Sequence, residues 1–198
     1  MEFIKKNLGL IITLAIVAVV LIWGVSGYNG LVSIDEGVQN KWADVETQYQ
    51  RRADLIPNLV NTVKGYAAHE KETLEGVVKA RSEATSVKID PENMTAEQMA
   101  QYQKAQNGVS SALSRLLLVV EKYPDLKANQ NFLELQSQLE GTENRITVAR
   151  RDFNGAAKEY NTAIRKFPKN ILAGMFGFEK KAYFEAQEGA EKAPEVQF

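Results

Sequence analysis

The 198-residue chain contains no cysteine and a single histidine, His69. Without thiols it has no disulfides, thiolate metal sites or cysteine nucleophiles, and no cysteine for a lipid anchor. One imidazole leaves a serine triad only His69 to use, and "HEKET" lacks the second histidine of a His-Glu-x-x-His metalloprotease helix. A di-iron bundle needs two Glu-x-x-His pairs and is equally out of reach. Bulk charge is missing too. Balanced basic and acidic residues give a net charge of −1, with no basic block for nucleic acid and no like-charge tail. No phosphate-cradling glycine loop or isolated acidic pair is recognisable. The chain is therefore read as a non-enzyme with no cofactor, no metal, no nucleic acid and no small-molecule substrate.

What is present begins with "LGLIITLAIVAVVLIWGV", an uncharged run from Leu8 to Val25. It matches the roughly 20 apolar residues that cross a ~30 Å hydrocarbon core. A transmembrane helix is expected over 8–26, after a short N-terminal segment, 1–7. Lys5 and Lys6 precede the run and Asp35 and Glu36 are the first charges after it. The positive-inside rule then gives a single-pass inner-membrane protein with its N-terminus in the cytoplasm and its bulk outside. A cleavable signal ending near Val25-Ser26-Gly27 is the alternative, but the apolar run exceeds the usual signal core of about 7–15 residues.

Beyond the glycine-punctuated "GVSGYNG", apolar or small residues recur at 31, 34, 38, 42, 45, 49, 53, 56, 60, 63, 67, 74 and 77. That spacing, near 3.5, belongs to bundle or coiled-coil packing. Pro57 interrupts the run, so two coaxial or kinked segments are expected over Ile34 to Ser86. "IDPENMTAEQ" stops that pattern, and Thr95 with Gln98 forms a capping box for a second helix along Met99, Tyr102, Val109, Leu113, Leu116, Leu117 and Val120. A third stripe runs Phe132, Leu135, Leu139, Thr142, Ile146, Ala149, Phe153, Ala156, Tyr160, Ala163 and Phe167, up to Pro168. No strand alternation appears. The expected fold is all-α: a transmembrane helix followed, over 27–168, by an antiparallel, four-helix-like bundle whose first helix is kinked at Pro57. An aromatic-rich segment and polar tail follow at 169–198.

Several blocks together carry a resemblance. They are "YNGLVSIDEGVQNKWADVETQYQRRADLIPNLVNTVKGYAAHEKETLEGVVKAR", "YPDLKANQNFLELQSQLEGTENRI", "ARRDFNGAAKEYNTAIRKFP" and "FGFEKKAYFEA". With them the chain resembles LemA family proteins over nearly its whole length. The resemblance implies a bacterial envelope protein, an N-terminal membrane helix carrying a kinked four-helix bundle, and no established reaction or cofactor.

Three groups of residues invite a role. Arg51, Arg52, Asp54 and Asn58 surround Pro57. Paired guanidiniums there suit an anion or lipid headgroup. Equally, Pro57 frees the carbonyl of Ala53, and Arg or Asn donors are expected to repair it; Arg51 is expected to pair with Glu46 or with carboxylates on the last helix. Arg150, Asn154, Ala157 and Asn161 form a polar stripe beside the last apolar seam, where such residues set register. A polar layer joining this stripe to Arg52 would make Asn161→Leu and Arg52→Leu strongly non-additive. Glu140, Glu143 and Arg145 around Gly141 offer charge contacts at i,i+3 or i,i+5 spacing, of which only the first places side chains face to face on a helix.

Finally, Leu116, Leu117 and Leu118 form a girdle too apolar for one exposed side, and Met175, Phe176 and Phe178 a glycine-loosened patch. Burial as a cap on the bundle, a membrane wedge and an oligomer contact all fit the patch. The partners expected are membrane lipid and further copies of the chain.

Overall fold

A computed structural model of the chain describes residues 7–185. Lys5, Lys6 and the polar tail from 186 to 198 lie outside the described residues. Within them the protein is all-α, with no strand.

The first helix, α1, is a single 57-residue element, Leu8–Lys64. At 1.5 Å per residue it is about 86 Å long. The expected separation at "GVSGYNG" does not occur: three glycines cost helix propensity, but nothing there removes a backbone hydrogen bond. The side chains of its first part, Leu8 to Val25, stand exposed. Burial begins at Leu31 and continues through Val38, Trp42, Val45, Tyr49, Arg52, Ala53, Ile56, Leu59 and Val63. Alternation by threes and fours thus runs through 52 and 59, whereas the stripe read from the sequence passed through 53 and 60.

Pro57 does not end α1; the chain turns at Gly65 to Glu70 instead. The carbonyl that Pro57 leaves without its N–H, that of Ala53, accepts a 2.7 Å hydrogen bond from Nε of Arg81. The repair expected of nearby Arg or Asn donors is made by an arginine of the next helix, so it also staples α1 to α2, Lys71–Ser86.

Helix α3 spans Ala96–Val120. Its capping box is as expected: Thr95 Oγ1 accepts from the Gln98 amide at 3.2 Å, and Gln98 Oε1 accepts from the Thr95 amide at 3.0 Å. A single turn, α4 (Pro124–Lys127), leads to α5, Gln130–Ala163, whose N-cap Asn129 accepts from Phe132 N. α5 stops short of the expected Phe167, which is 81% exposed. Helix α6, Lys169–Phe176, closes with Gly177 at φ 74°, a left-handed turn that suits glycine.

Contacts pair residue 42 with 153 and 52 with 143, so α1 and α5 run antiparallel. Arg81 meets Ala53, and Gln106 meets Ala84, so α2 is antiparallel to α1 and to α3. The core has two parts. An aromatic part near the start of the bundle gathers Trp42, Tyr49, Tyr102, Phe153, Tyr160 and Phe184. An aliphatic part beyond it gathers Ile56, Leu59, Val77, Val109, Leu113, Leu116 and Phe132. Leu172, Ala173 and Phe184 place residues after 168 in that same core.

Candidate functional site

Between the two parts of the core lies a polar layer. Arg52 projects from α1 between Tyr49 and Ile56 and is 2% exposed. Its Nη1 donates to Ser110 Oγ at 2.9 Å and to Glu143 Oε1 at 2.8 Å. Its Nη2 donates to the backbone oxygen of Gln106 at 3.1 Å and to Gln106 Oε1 at 2.7 Å. The guanidinium also stands 5.0 Å from the Tyr49 ring centroid. The planar fork thus meets four acceptors on two neighbouring helices, which a lysine ammonium does not match. Glu143 keeps 43% of its side chain exposed, so the ion pair is open to water on one side.

The other residues of the proline turn are arranged differently. Arg51 is exposed, and the carboxylate on the last helix is reached by Arg52, not Arg51. Asp54 accepts from Gln50 at 2.7 Å along its own helix. Asn58 is exposed, its carbonyl accepting from Thr62. Glu143 faces Arg52, while Arg145 Nη2 donates to Thr142 Oγ1 at 3.1 Å. His69 lies exposed in the α1–α2 turn, and its neighbour Glu70 accepts from Tyr123 Oη at 3.0 Å.

The stripe on α5 holds something the sequence did not announce. Residues 178–185 run extended along α5, antiparallel to it, and side-chain amides stand in for a neighbouring strand. Asn161 Nδ2 donates to the Lys181 carbonyl and Oδ1 accepts from the Lys181 amide, both at 2.9 Å. Asn154 repeats the exchange with Phe184, again at 2.9 Å. Gln103 of α3 does the same with Glu185, at 2.8 and 3.1 Å, and Arg150 adds a bond to the Glu185 carbonyl. The registers agree: seven helical residues advance about 10.5 Å, and three extended residues about 10 Å. The strap brings Phe184 into the aromatic core, stacked 5.9 Å from Trp42 and edge-on at 5.6 Å to Phe153.

Lys181 anchors the strap from its other side. Its Nζ, buried with the rest of the side chain, donates to the carbonyls of Pro91 and Glu92 at 3.0 and 2.9 Å. Asp35 Oδ1 stands 3.1 Å away, off hydrogen-bond alignment, so that attraction is coulombic.

Among the described residues Asn161 and Arg52 therefore share no hydrogen-bond partner, and the stripe approaches the Arg52 network only through Arg150 and the Tyr49 ring. The amides of Asn161 are spent on the strap, and Arg52 on Gln106, Ser110 and Glu143. Glu143 and Asn161 are eighteen residues apart on one helix, about 27 Å. Sequence reading passed over Gln103, Gln106, Asp35 and Lys181. Gln106 did leave a signal: it occupies the core position between Tyr102 and Val109 in an otherwise apolar stripe.

The tyrosines beside these networks resist ionisation. Burial pushes Tyr160 up to about 12, with Asp35 and Glu179 adding to it. Burial also raises Tyr49 against the opposing pull of Arg150 and Arg52, and it raises Tyr102 with help from Tyr49 and Glu46. The folded state thus keeps these protons longer than the unfolded one. The resulting stability is complete below about pH 10 and drains away as pH rises through the folded values. In an alkaline titration, the phenolate absorbance of these three rings should rise together with the loss of helical circular dichroism. Early, non-cooperative ionisation of all three would show that they are not held in the core.

The apolar candidates separate as well. Leu116 lies in the core, Leu117 is half-buried, and Leu118 is 71% exposed. Leu117 borders an open groove between α3 and α5, floored by Leu59, Leu113 and Leu139 and rimmed by Ser110, Gln136 and Glu143. The strap occupies the α3–α5 interval on the aromatic half of the bundle; here, on the aliphatic half, it stays open. Phe178 is half-buried, whereas Met175 and Phe176 are exposed.

Comparison with known proteins gives a consistent picture. The family model described as LemA family matches residues 41–198. The chain is similar to magnetosome protein MamQ 2 of Paramagnetospirillum magneticum, at 31% identity over 175 residues, covering 80% of this chain and 64% of that protein. It is similar to magnetosome protein MamQ of Magnetospirillum gryphiswaldense, at 30% over 174 residues, 79% and 64% of the two chains. It is also similar to protein LemA of Metamycoplasma hominis, at 25% over 160 residues, 81% and 69%. It therefore spans less than two thirds of the length of the MamQ relatives.

Proposed function

The chain belongs to the LemA family, and on that premise we propose that it acts without catalysis, as a membrane-anchored envelope scaffold that assembles with copies of itself. In this reading Leu8 to Val25 crosses the inner membrane once, with Lys5 and Lys6 on the cytoplasmic side and the bundle outside. The apolar helix, exposed along its length and continuous with the bundle, supports a membrane location. Matches both to MamQ proteins and to a protein named LemA support a role carried by the bundle they share rather than by segments particular to the longer MamQ chains.

The observation that carries self-assembly is the open α3–α5 groove with its leucine floor and the exposed Leu118 beside it. A helix from a second copy gives that apolar surface a partner of matching chemistry. The buried Arg52 does not favour an anion site at the bend: its fork already serves protein acceptors, and an incoming anion has to displace Glu143.

Native mass spectrometry of the full-length protein released from detergent tests the proposal. Wild type should give a defined oligomer at micromolar concentration, and Leu117→Glu should shift it to monomer while leaving helical content unchanged. A strictly monomeric wild type overturns self-assembly.

A further inference from the structure

Helix α6 abuts α1 just where its apolar run ends. Leu172 packs directly onto Gly27, so closely that a Cβ added at Gly27 would stand 2.5 Å from Leu172 Cδ1. Phe176 and Phe178 meet Tyr28 edge-on at centroid distances of 4.8 and 5.8 Å. Val25 is less than one helical turn from these contacts, about 3–5 Å along the axis. The inner face of α6 is thereby used. Its outer face presents Ile171 and Met175, one turn apart, with Phe167 just before the helix; Met175 is 71% exposed, and Phe176, at the edge it shares with Tyr28, keeps 56% exposed.

We propose that this outer face lies in the headgroup–acyl boundary of the bilayer that α1 crosses, making α6 a second, surface-parallel attachment. The inference rests on the reading of Leu8 to Val25 as a span. Four observations select lipid as the occupant. The patch sits at the level where a spanning α1 leaves the hydrocarbon. A shallow groove lined by Val19, Ile22, Trp23, Gly27 and Lys169 leads from the exposed apolar side of α1 to the first residue of α6. The Lys169 ammonium reaches back to Gly30, away from the apolar run, as a snorkelling lysine does. Arg165, Lys166 and Lys180 lie near the patch in sequence and, with Glu179 among them, leave a net positive charge there, which suits anionic headgroups, while Trp23 and Tyr28 stand at belt positions.

The absence of cysteine makes the test clean, because one introduced thiol carries the only label. Met175→Cys, Ile171→Cys, Leu14→Cys in the apolar run and Glu72→Cys on an exposed site of α2 are each spin-labelled. The full chain is then reconstituted in phosphatidylcholine vesicles containing phosphatidylglycerol. Collision rates with oxygen and with a water-soluble nickel chelate give the depth of each label. The expected result is a deep Leu14 label, shallow but lipid-embedded labels at 171 and 175, and a water-exposed label at 72. Water-like labels at 171 and 175 beside an embedded Leu14 label overturn the inference and leave the span standing. Labels at 171 and 175 shielded from both reagents and broadened by dipolar coupling overturn it in favour of a second copy. A water-exposed Leu14 label overturns the span, and the inference with it.

Discussion

Arg52→Met should lower stability by about 3 kcal/mol, because the change leaves Gln106 and Glu143 without the donor around which they are placed. Glu143 is partly hydrated and recovers some of the loss through water, which holds the figure below that for a fully buried pair. For a chain of this size the thermal midpoint of the detergent-solubilised protein should fall by roughly 6–12 °C. Arg52→Lys should recover less than half of it, since one ammonium does not reproduce the four bonds of the fork. Combining Arg52→Met with Gln106→Met should cost about 1–2 kcal/mol less than the sum, because the second change removes the stranded acceptor. Arg52→Leu with Asn161→Leu, by contrast, should add within about 0.5 kcal/mol, as expected of sites sharing no partner. Strong coupling between those two would mean that the networks communicate through the bundle.

Asn161→Leu should be about as damaging overall, and it should act locally first. It strands the amide and carbonyl of Lys181, both buried against α5, at about 1–3 kcal/mol for each unpaired group. A local cost near 3 kcal/mol corresponds to about a hundredfold faster hydrogen exchange. That acceleration is expected at the amides of Lys181 and Phe184, while α1 and α5 keep their protection. Release of Phe184 from Trp42 should appear in tryptophan emission, since Trp42 is one of only two tryptophans. Asn161→Asp keeps the acceptor and loses the donor, so its effect should be intermediate. Unchanged exchange at both amides would mean that the strap is held by its apolar contacts alone.

These two sites show how differently structure is written into sequence. Helical parts are legible because a buried face repeats: Trp42, Val45 and Tyr49 on α1, and Ile146, Ala149 and Phe153 on α5, declare the seam. The Thr95–Gln98 box was readable for the same reason, as a local pattern with a local bond. Pro57 was readable in its cost, the orphaned Ala53 carbonyl, but not in its remedy, because Arg81 is remote in sequence and near only after the hairpin closes. Arg52 was half-legible. Its place between Tyr49 and Ile56 fits the core spacing, yet Arg51 beside it is chemically identical, and only the rotation of the helix separates buried from exposed. The strap was illegible in principle. It has no period, its partners are side chains instead of a strand, and Lys181 looks like any surface lysine until the carbonyls of Pro91 and Glu92 are brought to it.

One consequence of the unbroken α1 concerns mechanics. The apolar run of eighteen residues is about 27 Å long, slightly shorter than a hydrocarbon core of ~30 Å, a mismatch that a spanning helix meets by local thinning of the bilayer and snorkelling of flanking residues. On the reading of Leu8 to Val25 as a span, the same helix is also the spine of the bundle, stapled to α2 by Arg81 and to α3 and α5 by Arg52. For a helix continuous over that length, each 10° of reorientation would carry the far end of α1, about 51 Å beyond Gly30, sideways by about 9 Å. On that reading of Leu8 to Val25, the continuous helix therefore couples the orientation of the anchor to the position of the bundle tip.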